Sequence, residues 1–157
     1  MNNNDVMRSL RYAMDISDTA IVQLIKLSGG HAEKAEIIGM MKKEEEPGYL
    51  SCDDAMLNAF LDGLIIQKRG PKTSEPGQEQ AVEMRLDNNV ILKKLRVAFM
   101  LKEEDIEALM KLADFSVSRP EISALFRKPG HKNYRPCGDQ FLRYFLKGLT
   151  LKQRVIS

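Results

Sequence analysis

The chain has 157 residues, of which 43% are hydrophobic and 29% charged, a balance typical of a soluble globular protein and unlike a disordered or fibrous one. No run reaches the roughly 18 consecutive apolar residues of a membrane span, and the first residues lack the apolar core of a signal peptide. Two cysteines are too few for a disulfide framework. We therefore expect a cytoplasmic protein that does not bind membranes.

The formal net charge of +2 is unevenly distributed along the chain. Residues 1–70 hold eight Lys or Arg and eleven Asp or Glu, a net of −3, whereas residues 86–157 hold fourteen and eight, a net of +6. A basic half is a reason to consider an anionic partner for that half.

The sequence repeats itself at a constant offset of 85 residues. From Asn4/Asn89 to Arg69/Arg154, 20 of 66 pairs are identical without a gap. Chance similarity between helical segments rarely continues ungapped through loops, so the pattern indicates an internal duplication. It predicts a first module at 1–70, a polar linker at 71–85 and a second module at 86–157.

Each copy is predicted to contain four helices and no strand, which makes the fold all-α. The first helix carries an amphipathic stripe, and Asn4 and Asn89 are its predicted N-caps. The second helix has acidic residues near its positive end, and Gly29 and Gly30 end it in the first copy. In the first copy, the stripe of the first helix comprises Val6, Leu10, Ala13 and Met14.

The third helix is best marked in the second copy, where Ser118 and Glu121 have the spacing of a capping box and Pro120 suits a first turn. The fourth helix has the strongest apolar face. In the first copy that face comprises Met56, Leu57, Phe60, Leu61 and Leu64.

Gly63 and Gly148 interrupt the fourth helices at matched positions. Glycine inside a helix costs about 1 kcal/mol relative to alanine, so its retention predicts the close approach of another helix. A module of this size has a marginal core by itself. We therefore expect the two copies to pack together with pseudo-twofold symmetry.

Several other residues recur in both copies, and structural roles are predicted for them. Cys52 and Cys137 precede the fourth helix, where a helix dipole can lower a thiol pKa, but free cysteine is among the most buried residue types. We expect buried cysteines, not bonded to each other, beside Tyr49 and Tyr134. Asp54 and Asp139 are expected to act as capping residues in the first turn of the same helix, where exposed amide groups and the helix dipole favour a carboxylate. For Arg11 and Arg96 an intramolecular ion pair is expected rather than an anion site.

No enzyme or metal motif is present. The chain lacks a glycine-rich phosphate loop, a G-x-S-x-G elbow and an HExxH sequence. His31 and His131 are not at matched positions and have no ligand spacing to a cysteine. We expect a non-enzymatic protein without a metal or cofactor.

The stretch DFSVSRPEISALFRKPGHK resembles the turn and second helix of a helix-turn-helix unit. Its predicted outward-facing nucleic-acid contacts are Arg119, Ser123, Arg127 and Lys128. Amphipathic helices with basic solvent faces are common, so binding of DNA or RNA by the second module remains the alternative to binding of a protein.

Three stretches of the sequence carry a family resemblance: NNDVMRSLRYAMDISD, KKEEEPGY and FLDGLIIQKRG. They resemble the YehS-like family of uncharacterised bacterial proteins, which contain a duplicated helical domain of unknown function. The resemblance covers nearly the whole chain and implies the duplicated helical architecture and a bacterial cytoplasmic origin. It implies no activity, ligand or catalytic residue. The leading functional expectation is a macromolecular binding or regulatory module whose partner is a protein.

Overall fold

A computed structural model describes residues 1–70 and 86–156. These residues form eight α-helices and no strand, four helices in each copy, so the predicted all-α duplication is confirmed. The predicted linker at 71–85 lies outside the described residues. The helices are α1 (Asn3–Met14), α2 (Asp18–Leu27), α3 (Lys34–Met40), α4 (Asp54–Arg69), α5 (Asn88–Ala98), α6 (Glu103–Leu112), α7 (Arg119–Leu125) and α8 (Asp139–Ile156).

The loops between helices also repeat. Asp15 and Met100, which are equivalent residues after α1 and α5, both adopt left-handed backbone, with φ of 54° and 55°. Gly29 and Asp114, which are equivalent residues after α2 and α6, also have positive φ angles, of 93° and 63°. The duplication therefore extends to turn geometry at positions where the residue type is not retained.

The observed N-terminal cap agrees with the sequence-based prediction in α7 and differs from it in α1, α4 and α5. Ser118 and Glu121 form the predicted capping box of α7. The prediction that Asn4 and Asn89 cap α1 and α5 is wrong, because the caps lie two residues earlier, at Asn2 and Asp87. An N-cap accepts a bond from an amide two or three residues ahead, and a polar residue already stands at that earlier position.

The N-cap of α4 also lies earlier than expected, by one residue. Asp53 is the N-cap, since its carboxylate accepts a hydrogen bond from the Met56 amide at 2.8 Å. Asp54 is the first helical residue and bonds elsewhere. The capping role expected for Asp54 is therefore wrong, although its place in the first turn is correct.

The first helix of each copy packs on the last helix of the other. Helix α1 lies against α8, and α5 lies against α4, while α2 with α3 and α6 with α7 cover the outer sides. The reciprocal pairing produces the expected pseudo-twofold arrangement and one continuous core. Phe60 and Phe145 are its largest fully buried side chains.

Gly63 and Gly148 are points of close approach between helices. A Cβ atom on Gly63 would overlap the carbonyl of Leu24 in α2, with its carbonyl carbon 2.6 Å away. A Cβ atom on Gly148 would lie 2.7 Å from the carbonyl carbon of Leu109 in α6. The predicted close approach is confirmed, and the opposing atoms belong to the backbone.

Candidate functional site

Two asparagines of α1 hold the loop before α4. The Asn4 amide nitrogen donates to the carbonyls of Met40 at 3.0 Å and Leu50 at 2.9 Å, and its oxygen accepts from the Cys52 amide at 2.9 Å. Asn3 donates to the Cys52 carbonyl and to Asp54. Asn4 is only 2% exposed, so these bonds satisfy buried backbone groups.

The second copy repeats this asparagine junction atom for atom. Asn89 donates to the carbonyls of Leu125 and Arg135 and accepts from the Cys137 amide at 2.8 Å. Asn88 donates to the Cys137 carbonyl and to Asp139. Sequence reasoning missed the junction, although the identity of two adjacent asparagines in both copies was the signal for it.

The cysteines at the junction are poorly suited to nucleophilic chemistry. Cys52 and Cys137 are buried and free. Burial, with a smaller contribution from neighbouring carboxylates, raises the pKa of each thiol to about 12. A thiol in this state holds almost no thiolate at neutral pH, which agrees with the expected packing role.

The repeat-matched arginines differ in their partners. Arg11 forms the expected intramolecular ion pair, with Asp18 at 3.0 Å. The same expectation is wrong for Arg96, which donates to the Leu101 carbonyl and stacks over the Phe126 ring at 4.5 Å. The equivalent of Asp18 in the second copy is Glu103, which accepts instead from Ser123.

The four predicted nucleic-acid contacts do not act as one free surface. Arg119 pairs with Glu107 of α6 at 3.0 Å, and the Ser123 hydroxyl donates to Glu103 at 2.8 Å. Arg127 and Lys128 lie beyond the end of α7 and are exposed. Two of the four side chains thus face carboxylates, which repel phosphate.

The outer face of α3 in the first copy is apolar. Ile38 is 41% exposed and Leu50 is 43% exposed. The Leu50 side chain lies over Gly39, where an added Cβ would be 3.0 Å from it, and the Leu50 amide donates to the Gly39 carbonyl. We call Ile38, Gly39 and Leu50 the α3 face; residues 44–46, three exposed glutamates, follow it in the loop.

The equivalent face of the second copy is polar and basic. Ser123, Ala124 and Arg135 occupy the positions of Ile38, Gly39 and Leu50, and the Arg135 amide keeps the backbone bond to Ala124. An open depression lies between α7 and the following loop. It is lined by Pro120, Glu121, Ser123, Ala124, Arg127, Lys132, Asn133, Tyr134 and Arg135.

Tyr49 and Tyr134 are both half-buried at the ends of these loops. Burial raises the pKa of Tyr134, with smaller contributions from Asp87 and Cys137. His31 bonds Glu33 at 2.9 Å, and His131 accepts from the Asn133 amide. Within residues 1–70 and 86–156, no three His, Cys, Asp or Glu side chains are grouped as metal ligands would be.

No helix among the described residues is both long and apolar enough to cross a membrane.

Comparison with known proteins places this architecture in a family. The model of the family described as Protein of unknown function (DUF1456) matches twice, at residues 3–70 and 88–154. The chain is 46% identical over 155 residues to the Uncharacterized protein YehS of Escherichia coli (strain K12), covering 99% of this chain and 98% of that protein. No solved structure matches. The two family matches coincide with the two sets of four helices, and the chain belongs to the DUF1456 family of proteins of unknown function.

Proposed function

We propose that this protein is a non-enzymatic cytoplasmic module that binds or regulates another macromolecule, and that the α3 face of the first copy binds a protein partner. The observation that carries the proposal is the exposed pair Ile38 and Leu50. The second copy supports the same backbone with Ser123 and Arg135 at these positions. Because the fold accepts polar residues there, folding does not require the apolar surface of the first copy.

The surroundings of the α3 face indicate the chemistry of the partner. Residues 44–46 place exposed carboxylates in the loop that leads to Leu50. Protein interfaces combine an apolar centre with a polar rim, and complementary charge on the rim favours association. The partner is therefore expected to present an apolar side chain bordered by Lys or Arg.

A binding role is also supported by the structural contacts of the side chains that could otherwise take part in catalysis. The cysteines are buried and protonated, the paired asparagines bond backbone, and Asp54 and Asp139 accept from Asn3 and Asn88. A catalytic site needs perturbed groups that converge on a substrate cavity. These groups instead serve the junction between helices and loops.

The second candidate is a DNA- or RNA-binding regulator that uses α7 as a recognition helix. The net charge of the second copy favours it, but the contacts of Arg119 with Glu107 and of Ser123 with Glu103 oppose it. Salt separates the candidates, since phosphate contacts weaken steeply with salt and an apolar interface responds little.

The proposal is tested by affinity capture from bacterial lysate with and without nuclease. The full-length protein and the variant Ile38→Ser/Leu50→Ser are immobilised, retained proteins are identified, and the dissociation constant of the purified partner is measured. Loss of two exposed aliphatic side chains from an interface is expected to weaken binding at least about tenfold. Nuclease is expected to leave unchanged the capture of those proteins that the Ile38→Ser/Leu50→Ser variant fails to retain.

The matched control is Val97→Ser/Leu112→Ser, which removes two exposed aliphatic side chains from the second copy. This variant is expected to capture the partner as the unmodified protein does. If the α3-face variant retains the same proteins with the same affinity, the proposal is wrong.

A further inference from the structure

We propose that the loop between α7 and α8 binds the phosphodiester backbone of a single nucleic-acid strand without reading its sequence. The site is the depression around Arg127, Lys132 and Arg135, with Lys128 beside it on the same exposed loop. It differs from a helix-turn-helix site because the contacts come from the loop rather than from α7. It is also separate from the α3 face, so it goes beyond the proposed protein binding.

The cations of this loop are available to a ligand. In the described ranges, the side chains of Arg127, Lys128 and Lys132 form no salt bridge or hydrogen bond. Glu121 is the acid among the lining residues, and it accepts from the Ser118 amide and hydroxyl at 2.8 and 2.9 Å. Ser118 holds the Glu121 carboxylate at the start of α7. The depression is lined by three cations and this one carboxylate, so its net charge is positive.

The charge difference between the two copies is concentrated in this loop. Residues 42–50 of the first copy contain two lysines and three glutamates, a net of −1. Residues 127–135 of the second copy contain two arginines and two lysines and no acid, a net of +4. These equivalent loops account for five of the nine charge units that separate the two halves, since +6 and −3 differ by nine. More than half of the charge difference between the two copies is therefore local to this loop.

The surface favours a phosphate strand over an acidic protein. No large exposed hydrophobic side chain lies in the second copy between Leu112 and Leu151, so α7 and its loop lack an apolar centre of the kind that protein interfaces use. Arginine offers a planar fork that matches phosphate oxygens. A nucleic-acid strand that binds several exposed cations also releases its condensed counterions, which increases the affinity. A single small anion has no such counterions to release.

The position of α7 disfavours base readout. Arg119 and Ser123 are held by Glu107 and Glu103 of α6, and α7 has only seven residues. Insertion of this helix into a major groove would bring the two carboxylates towards the DNA phosphates. A strand lying along the loop avoids them and contacts Arg127, Lys132 and Arg135.

The test is fluorescence anisotropy of the full-length protein with a labelled single-stranded oligonucleotide of mixed sequence, about 20 nucleotides long, enough to span one positively charged groove. With about three phosphates neutralised, the slope of log affinity against log salt is expected to be about −2, or about a 15-fold loss from 50 to 200 mM. Arg127→Glu/Lys132→Glu is expected to lower affinity at least tenfold.

The matched control, Lys34→Glu/Lys43→Glu, changes the net charge equally in the first copy. It is expected to bind within about twofold, because neither lysine lines the depression and salt screens charges that are not in direct contact. Arg127→Lys is expected to retain most of the affinity, and thermal melts verify that every variant is folded. The proposal is overturned if the oligonucleotide does not bind, if both double variants lose affinity equally, or if polyglutamate of similar length competes equally well. Capture of a protein through the α3 face is expected to survive Arg127→Glu/Lys132→Glu, so the two proposals fail separately.

Discussion

Alanine at Gly148 is expected to destabilise the protein, even though alanine is the better helix former. Its Cβ would lie 2.7 Å from the Leu109 carbonyl carbon, where ordinary contacts are 3.4–4 Å, so α6 must retreat from α8. Overpacking costs about 1–3 kcal/mol, and alanine recovers about 1 kcal/mol of helix propensity. The new Cβ would meet backbone atoms, so no change of side-chain rotamer can relieve the overlap. We therefore take the upper end of this range for the cost of overpacking. We expect a net loss of about 2 kcal/mol.

Urea unfolding followed by circular dichroism measures this loss, and a thermal melt should show a decrease of about 4–8 °C for a chain of this size. Leucine, which adds three more carbons, is expected to be worse than alanine. Gln140→Ala on the exposed side of α8 is the control and should remain within about 0.5 kcal/mol. The close-contact argument is refuted if Gly148→Ala raises the stability, as helix propensity alone predicts.

Two further predictions concern the asparagine junction. Asn4→Ala is expected to cost about 2–4 kcal/mol by urea unfolding, since it leaves the buried carbonyl of Met40 and the Cys52 amide without their partner; a change below about 0.5 kcal/mol would count against the junction. Cys52 and Cys137 are expected to resist alkylation in the native protein at pH 8 and to react after denaturation, because a pKa of about 12 leaves little thiolate. Rapid native labelling of both thiols would contradict their burial.

The local and repeated features could be predicted from the sequence. The helix stripes, the capping box at Ser118 and the end of α2 depend on residues a few positions apart, so the chain pattern contains the information. The close approach at Gly63 and Gly148 was also predictable, because a residue that is unfavourable in a helix was retained twice. The identity of the atom it meets, the backbone carbonyl of the neighbouring helix, was not.

The candidate surfaces were only partly predictable. The sequence indicated a basic second half and singled out Arg127 and Lys128, but assigned Arg119 and Ser123 to the same face. The structure brings those two residues to Glu107 and Glu103 of α6. Side-chain partners of this kind depend on how two helices cross, which a single sequence does not specify.

By itself, the sequence determined that the protein is a duplicated set of four amphipathic helices, because periodicity and a constant offset are properties of the chain. Only the tertiary structure decided that α1 packs on α8 and α5 on α4. It also decided that Asn4 and Asn89 bind loop backbone rather than cap their helices. An apolar stripe specifies that a helix must be buried but not which partner buries it, and a polar side chain finds its bonds only after that partner is in place.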